Sequence, residues 1–428
     1  MSQRIGLNLQ SLAASSLTGI GTYTLEIARR LPRYLGDTFE CEGHVFDFAG
    51  RNHAAERIFD FFTTDAAAMA EIRMTDGTAT SSAAADLSAK PAIRAPLTGA
   101  PLFPVLTCRL FPLGAYIRAG FWGRIITYQN LVGSKAETTV FFNYLRPDRV
   151  QGRTIITVYD MVSERYPETM DKRNRNLLRR FLKNSCDKAD MIVTISEFSK
   201  NEIVACLGIA PDKIRVAMCG FDEAVYYPPV DSSERTSMKE YLQQKYKISS
   251  PYILNLGTLE PRKNIDALLQ AFSLLHDRFP SLKLVICGGL GWQYEKTLAK
   301  IESLGLGDSI IRTGYIPEAD KRMLYASAEV FVFPSWYEGF GLPVLESMAC
   351  GTPVVSSRAS SLPEVVGDAG ILCDPSDPGA FADAVGRLLS DRDLYHDLQT
   401  RQKERVRLFT WENAAKAYAE AILEVTQK

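Results

Sequence analysis

Apolar positions along the chain alternate between two patterns. Short runs rich in Val, Ile, Leu and Phe, at residues 154–158, 191–195, 215–218, 252–256, 282–287, 310–312, 330–333, 353–356 and 371–373, read as strands. Most are followed by longer stretches with apolar residues at helical spacing, and this alternation predicts parallel sheets flanked by helices, an α/β fold. The start of the chain repeats the theme. Residues 4–9 read as a strand, a Ser/Thr/Gly stretch follows, and Ile20, Tyr23, Ile27 and Leu31 form a helical stripe that Pro32 is expected to close.

The rhythm pauses at Tyr227-Pro228-Pro229, where prolines, serines and charges predict a linker. The expected division is an N-terminal domain over 1–228, a linker region over 229–250, a C-terminal domain over 251–410 and a final helix over 411–428. That helix carries its apolar stripe on Ala415, Tyr418, Ile422 and Val425. Residues 64–100 lose periodicity and become rich in Ala, Ser and Thr, so a flexible surface insertion or a loosely packed helix is expected there.

A chain of 428 residues agrees with two domains, and 46% hydrophobic with 23% charged residues is an ordinary globular composition. Lys and Arg number 49 against 50 Asp and Glu, so no global basic field exists to hold nucleic acid, and any anionic ligand must be met locally. The eight cysteines form no C-x-x-C pair, which argues against a thiolate zinc site and for reduced, buried thiols. No basic leader followed by an apolar core opens the chain, and no long apolar window appears, so a cytoplasmic protein is expected.

One segment departs from the even charge balance. Residues 87–136 contain no acidic residue, while Lys90, Arg94, Arg109, Arg118, Arg124 and Lys135 are interleaved with Phe103, Phe111, Tyr116, Phe121 and Trp122. Such a segment suits peripheral contact with an anionic inner-membrane surface or a lipid-linked acceptor. A core helix with solvated arginines is the alternative.

Two strand-to-helix loops carry candidate chemistry. The first is Trp336-Tyr337-Glu338-Gly339-Phe340-Gly341-Leu342-Pro343-Val344-Leu345-Glu346. Pro343 suits the first helical position, which puts Glu346 in the first turn and Glu338 in the loop before it. Gly339 and Gly341 permit positive φ and close approach of a ligand to main-chain N–H groups. Two carboxylates flanking such a rim can accept hydrogen bonds from sugar hydroxyls at either end of a nucleotide sugar. Glu346 can equally be complementing the helix dipole.

The second loop is Gly257-Thr258-Leu259-Glu260-Pro261-Arg262-Lys263-Asn264, with Gly257 ending a strand and Asn264 placed to cap a helix. Arg262 grips two oxygens at once and Lys263 supplies a movable point charge, a combination suited to a diphosphate. A helix terminus contributes at most about 2 kcal/mol, against the roughly 8–23 kcal/mol by which enzymes lower barriers, so side-chain cations or a metal must stabilise a departing diphosphate. Asp391-Arg392-Asp393, the one Asp-x-Asp, reads as a helix cap or solvated face.

In combination, GTLEPRKN, EGFGLPVLES, ACGTPVVSS and SSLPEVVGDAG between residues 257 and 370 resemble the retaining glycosyltransferases of family 4. Thr18-Gly19-Ile20-Gly21-Thr22-Tyr23 and Ile195-Ser196-Glu197-Phe198-Ser199 are similar to the mannosyltransferase-B-like subgroup. The resemblance implies the GT-B fold, two Rossmann-like α/β/α domains facing a cleft, with the C-terminal helix crossing back to the N-terminal domain. It implies that Glu338 contacts the donor sugar, Glu346 the ribose, and Arg262 and Lys263 the diphosphate, assisted by the amides of Phe340, Gly341 and Leu342. Gly19 and Gly21 would approach the diphosphate from the other domain, and Tyr315 and Ile316 would lie at the base. Where the family often has His-Asp, this chain has Tyr159-Asp160, which leaves Asp160 either to orient an acceptor hydroxyl or the donor sugar or to cap a helix at the strand end, and Tyr159 either to supply a phenolic hydrogen bond or to pack.

The resulting expectation is a retaining transferase that needs no metal or other cofactor. It would move a hexose, mannose from GDP-mannose, to a saccharide or lipid-linked oligosaccharide of a bacterial surface polysaccharide. A sugar-nucleotide epimerase of the same fold and an inactive, membrane-peripheral assembly subunit are the competing readings.

Overall fold

The computed structural model describes residues 3–13, 19–48, 105–110, 127–249 and 251–427. The expected insertion at 64–100 lies outside the described residues, as does the segment 87–136 except for 105–110 and 127–136. The chain divides into two compact units, Met1–Phe142 with Pro147–Thr154, and Asn143–Arg146 with Ile155–Lys428.

In the first unit, β1 (Gln3–Asn8), β2 (Phe39–Phe48), β3 (Val105–Leu110) and β4 (Thr138–Phe141) pair in parallel in the order β3-β2-β1-β4. The helix Gly19–Leu35 buries Tyr23, Ile27 and Leu31, the stripe the sequence announces. It does not stop at Pro32. Proline there lies in the last turn, where its missing N–H forfeits one hydrogen bond while the buried stripe continues to Leu35.

The second unit carries the parallel strands β6 (Met191–Thr194) and β7 (Ile214–Val216) and, from Ile155 onward, β5 (Arg153–Thr157). It also holds a parallel sheet of β8 (Tyr252–Leu256), β9 (Lys283–Cys287), β10 (Ile310–Gly314), β11 (Val330–Phe333), β12 (Val354–Ser357) and β13 (Ile371–Cys373). Its order is β10-β9-β8-β11-β12-β13, so the direction of growth reverses between β8 and β11. Leu284, Val285 and Ile286, neighbours on β9, are all buried, because helices cover both faces of the sheet. Leu268 and Phe272 of the helix Ile265–His276 pack on one face with Phe381 of Pro378–Ser390.

The C-terminal helix Trp411–Gln427 buries Ala415, Tyr418, Ile422 and Val425 and returns to strands of the N-terminal half of the sequence. The Tyr418 hydroxyl and Thr157 Oγ1 are 2.5 Å apart, and Arg215 donates to Glu424 at 2.6 Å.

Within the expected linker, Ser232–Tyr246 is a helix. The Asp231 carboxylate accepts from Glu234 N at 2.8 Å while the Glu234 carboxylate accepts from Val230 N at 2.7 Å, a reciprocal cap that outweighs the nearby prolines. The Arg322 guanidinium, 3.5 Å above the Tyr227 ring, also donates to Glu234 at 2.8 Å. This stretch is therefore anchored rather than free. Asp391 is a helix cap, as expected, and accepts from Leu394 N at 3.0 Å.

Candidate active site

The loops following β8 and β11 leave adjacent strands at the point where the sheet's order reverses, the position at which open α/β sheets bind ligands. That topology brings together residues about 75 positions apart. Lys263 Nζ donates to Glu338 Oε1 at 2.6 Å, and Arg262 Nη1 lies 2.8 Å from Glu338 Oε2. Arg262 also donates to Glu260 at 2.6 Å and to the carbonyl of Tyr337 at 2.6 Å. Lys263 Nζ lies 5.0 Å above the Phe333 ring. Gly257 leaves room for the Lys263 stem, since a Cβ there would stand 3.5 Å from Lys263 Cε.

Burial alone would raise the Glu338 pKa, but Arg262 and Lys263 outweigh it and hold the carboxyl at about 2. Burial lowers the pKa of Lys263 despite Glu338. An ammonium has three donors and only one goes to Glu338, whereas the guanidinium is spread over Glu260, Glu338 and Tyr337. Lys263 is thus the better placed of the two to take a further anionic ligand.

Asp160 belongs to the same polar region, and its Oδ1 accepts from Val162 N at 3.1 Å. Its pKa is raised by burial, against the opposing charge of Arg262 and a hydrogen bond from the Tyr144 phenol. Tyr144 meets Tyr159 edge-on, with ring centroids 5.6 Å apart. Tyr159, standing where the family often has His, is buried and packs rather than projecting a free phenol. Sequence reasoning missed Tyr144, because no motif surrounds it and only the fold brings it to Asp160.

Gly339 has a different purpose from the one its sequence context implies. A Cβ there would lie 2.6 Å from the Tyr159 carbonyl oxygen, so glycine is required for the loop to approach its own scaffold. The Gly339 carbonyl accepts from Ser196 Oγ at 2.8 Å and Ser199 Oγ at 3.3 Å. Ser360 and Ser361 complete the clamp. Ser360 Oγ accepts from Glu338 N at 2.9 Å, while the single Ser361 hydroxyl proton is shared between the carbonyls of Glu338 and Phe340, 2.9 and 2.8 Å from Oγ. Gly341 has φ of 117°, a value open to glycine and strained for other residues. Phe340 is buried against Phe409, with centroids 5.7 Å apart.

Leu342 opens the next helix and Pro343 follows it, so Glu346 lies beyond the first turn instead of inside it. Complementing the helix dipole therefore does not account for this carboxylate. It joins a second cluster, where the Tyr325 hydroxyl donates to Glu346 Oε2 at 2.8 Å and the Tyr226 phenol, which donates to Glu318, stands close by. Lys321 stands nearby and pairs with Glu318 at 2.7 Å. Burial raises the Glu346 pKa, with the charge of Lys321 opposing it.

Ile316 is buried and Tyr315 is 67% exposed, on the loop leading to the helix Glu318–Ser327 that carries Lys321 and Tyr325. Gly19 and Gly21 form the first turn of Gly19–Leu35 in the other unit. Asn264 does not cap its helix. It adopts φ of 54°, and its amide bridges the carbonyls of Pro334 and Pro375 at 3.0 and 2.8 Å, tying three loops together.

The family models described as "Glycosyl transferases group 1" and "Glycosyltransferase Family 4" match residues 238–405 and 137–225. O-antigen chain mannosyltransferase B of Escherichia coli is 38% identical over 280 residues, covering 63% of this chain and 70% of that protein. The chain belongs to glycosyltransferase family 4.

This glycosyltransferase is also 32% identical to the serotype-specific mannosyltransferase WbdA of Escherichia coli, over 65% of its own length but only 34% of the longer WbdA. Its fold is that of sucrose-phosphate synthase from Thermosynechococcus elongatus, with a TM-score of 0.68, 19% identity and 99% of both chains covered. Anabaena HepE in complex with UDP and glucose matches with a TM-score of 0.66 and 17% identity, over 99% of this chain and 100% of that one. The architecture is GT-B, with α/β sheets in two domains. Among the described residues no helix is long and apolar enough to cross a membrane.

Proposed function

We propose that this glycosyltransferase moves a mannosyl group from GDP-mannose to a saccharide hydroxyl of a growing surface polysaccharide, with retention of configuration at the anomeric carbon. The observation that carries this reading is the convergence of Arg262 and Lys263 on Glu338 at the switch point of the sheet, with Asp160 beside them. The names of the relatives, both mannosyltransferases, support the sugar.

Lys263, with donors to spare, holds the diphosphate, and Arg262 supplies a fixed positive field beside it. Two side-chain cations meet the leaving group's charge, so no metal is required. Glu338, held ionised, accepts hydrogen bonds from sugar hydroxyls and faces the positive charge that develops on the ring. Glu346, at the second cluster, receives the ribose.

The reading assigns no side chain as nucleophile or base. The bond from the anomeric carbon to phosphate oxygen breaks to give an oxocarbenium-like ion pair. The acceptor oxygen then bonds the same face, and its proton passes to the departing phosphate oxygen. The protein orients the partners and stabilises charge.

The test is a panel of nucleotide sugars offered with oligosaccharide acceptors in the presence of a chelator. GDP-mannose should raise the melting temperature most and give an elongated product with free GDP and retained configuration. Preference for a UDP-sugar would overturn the donor, and loss of activity in the chelator would overturn the metal-free reading. An altered nucleotide sugar with no elongated product would indicate an epimerase.

A further inference from the structure

The helix Lys172–Lys188 is out of keeping with the charge balance of the chain. Seven of its residues are Lys or Arg and one is acidic, in a protein whose basic and acidic residues number 49 and 50. It buries only Leu182, Ser185 and Cys186, so nearly all of that charge faces outward. Arg179 and Lys183 have acidic neighbours, Glu164 at 3.7 Å and Asp187 at 3.0 Å. Among the described residues Lys172, Arg173 and Arg180 have no acidic partner within 4.0 Å.

The arrangement is as informative as the count. Arg173 and Arg180 are separated by two turns and share one face, and Lys172 and Lys183 lie beside them. Along one flank of this face run the half-buried Leu177 and, one turn later, Phe181, which is 39% exposed. The Arg180 guanidinium sits 5.3 Å from the Phe181 ring. Cations bordering an exposed aromatic and a half-buried leucine suit the headgroup boundary of a bilayer, where each basic group meets an anionic lipid and the ring enters the acyl edge. The helix follows Asp160 closely in the chain, through Val162–Arg165 and Pro167–Thr169.

We infer that the exposed face of Lys172–Lys188 docks on an anionic phospholipid surface, which holds the enzyme where a lipid-linked acceptor presents its saccharide. The placement is independent of the segment 87–136. Only the acceptor clause rests on the transferase reading, and the experiment below needs neither donor nor acceptor.

The full chain is sedimented with phosphatidylcholine vesicles containing phosphatidylglycerol and, separately, with phosphatidylcholine alone. Binding should occur only to the anionic vesicles and fall steeply with added salt. Replacing these three cations together, Lys172→Gln, Arg173→Gln and Arg180→Gln, should weaken partitioning about 100-fold. Phe181→Ser should weaken it a few-fold more while circular dichroism stays unchanged.

Equal binding to both vesicle types, or undiminished binding by the triple variant, would overturn the proposal. Tighter binding to a single-stranded oligonucleotide or to dextran sulfate than to the vesicles would overturn it in favour of a soluble polyanion.

Discussion

Glu338 and Glu346 are the same residue type, equally buried at 8% exposure, one in a loop and the other in the helix that follows it, yet their surroundings drive them in opposite directions. Glu338 lies between a guanidinium and an ammonium, and its pKa falls to about 2. Glu346 lies among phenols, with Lys321 largely taken by Glu318, and burial wins, so its pKa rises. Burial is thus a cost common to both, and the two cations in direct contact with Glu338 reverse it there. The first carboxylate is built to remain an anion next to cations, and the second is held as a hydrogen-bonding group that readily takes up a proton.

The most severe way to break this contrast is to remove Glu338. Glu338→Ala leaves two buried cations without their shared partner and should cost about 3–5 kcal/mol in urea unfolding. Under the transferase reading, turnover should also fall by at least about 100-fold. Unchanged turnover in a folded variant would count against the assignment of Glu338 to the donor site.

Acid titration sharpens the comparison, because the two residues differ in sign. Glu338 has a depressed pKa, so its contribution to stability is present above pH 4.5 and is lost as pH falls towards about 2. A shift of that size corresponds to about 3 kcal/mol. Glu346 has a raised pKa, so its ionisation works against the fold, and stability is lost as pH rises from 4.5 through the folded value. Glu346→Gln should therefore raise the unfolding midpoint at neutral pH and leave it unchanged in acid. Glu338→Gln should lower the midpoint at neutral pH and converge on the parent near pH 2. Parallel curves for the two variants would refute the contrast.

The smallest expected effect lies at Asp160, whose carboxyl combines features of both sites. Its Tyr144 hydrogen bond lowers a pKa that burial raises. Tyr144→Phe removes that bond, worth about 1.5–3 kcal/mol to a charged acceptor, so turnover should fall about 10-fold or more. The acid limb of the pH–rate profile should move to higher pH. A rate change with no movement of that limb would mean that the tyrosine acts through packing alone.

Much of this was legible in the chain. Apolar runs placed ten strands to within a residue or two, since a strand covered on both faces needs consecutive apolar residues, but β2, β3 and β4 were not marked by such runs. The motif glycines, acids and cations marked the loops at strand ends. Readings based on a single local signal fared worse. Pro32 failed to end its helix, and the prolines before Ser232 concealed a reciprocal cap. Asn264 resembled an N-cap and became a bridge between loops.

Sequence by itself determined the α/β class through the spacing of its apolar residues, and its motifs carried the resemblance to the family and marked Arg262, Lys263, Glu338 and Glu346 as candidates. The tertiary structure decided which of them share an environment. The reversal of strand order between β8 and β11 brings Arg262 and Lys263 to Glu338, whereas Glu346, further along the same loop and helix, turns towards Tyr226 and Tyr325. It also recruited Tyr144 to Asp160 and made Gly339 indispensable to its own scaffold. Electrostatic and steric effects act over a few ångströms of space, and distance along the chain does not report that separation.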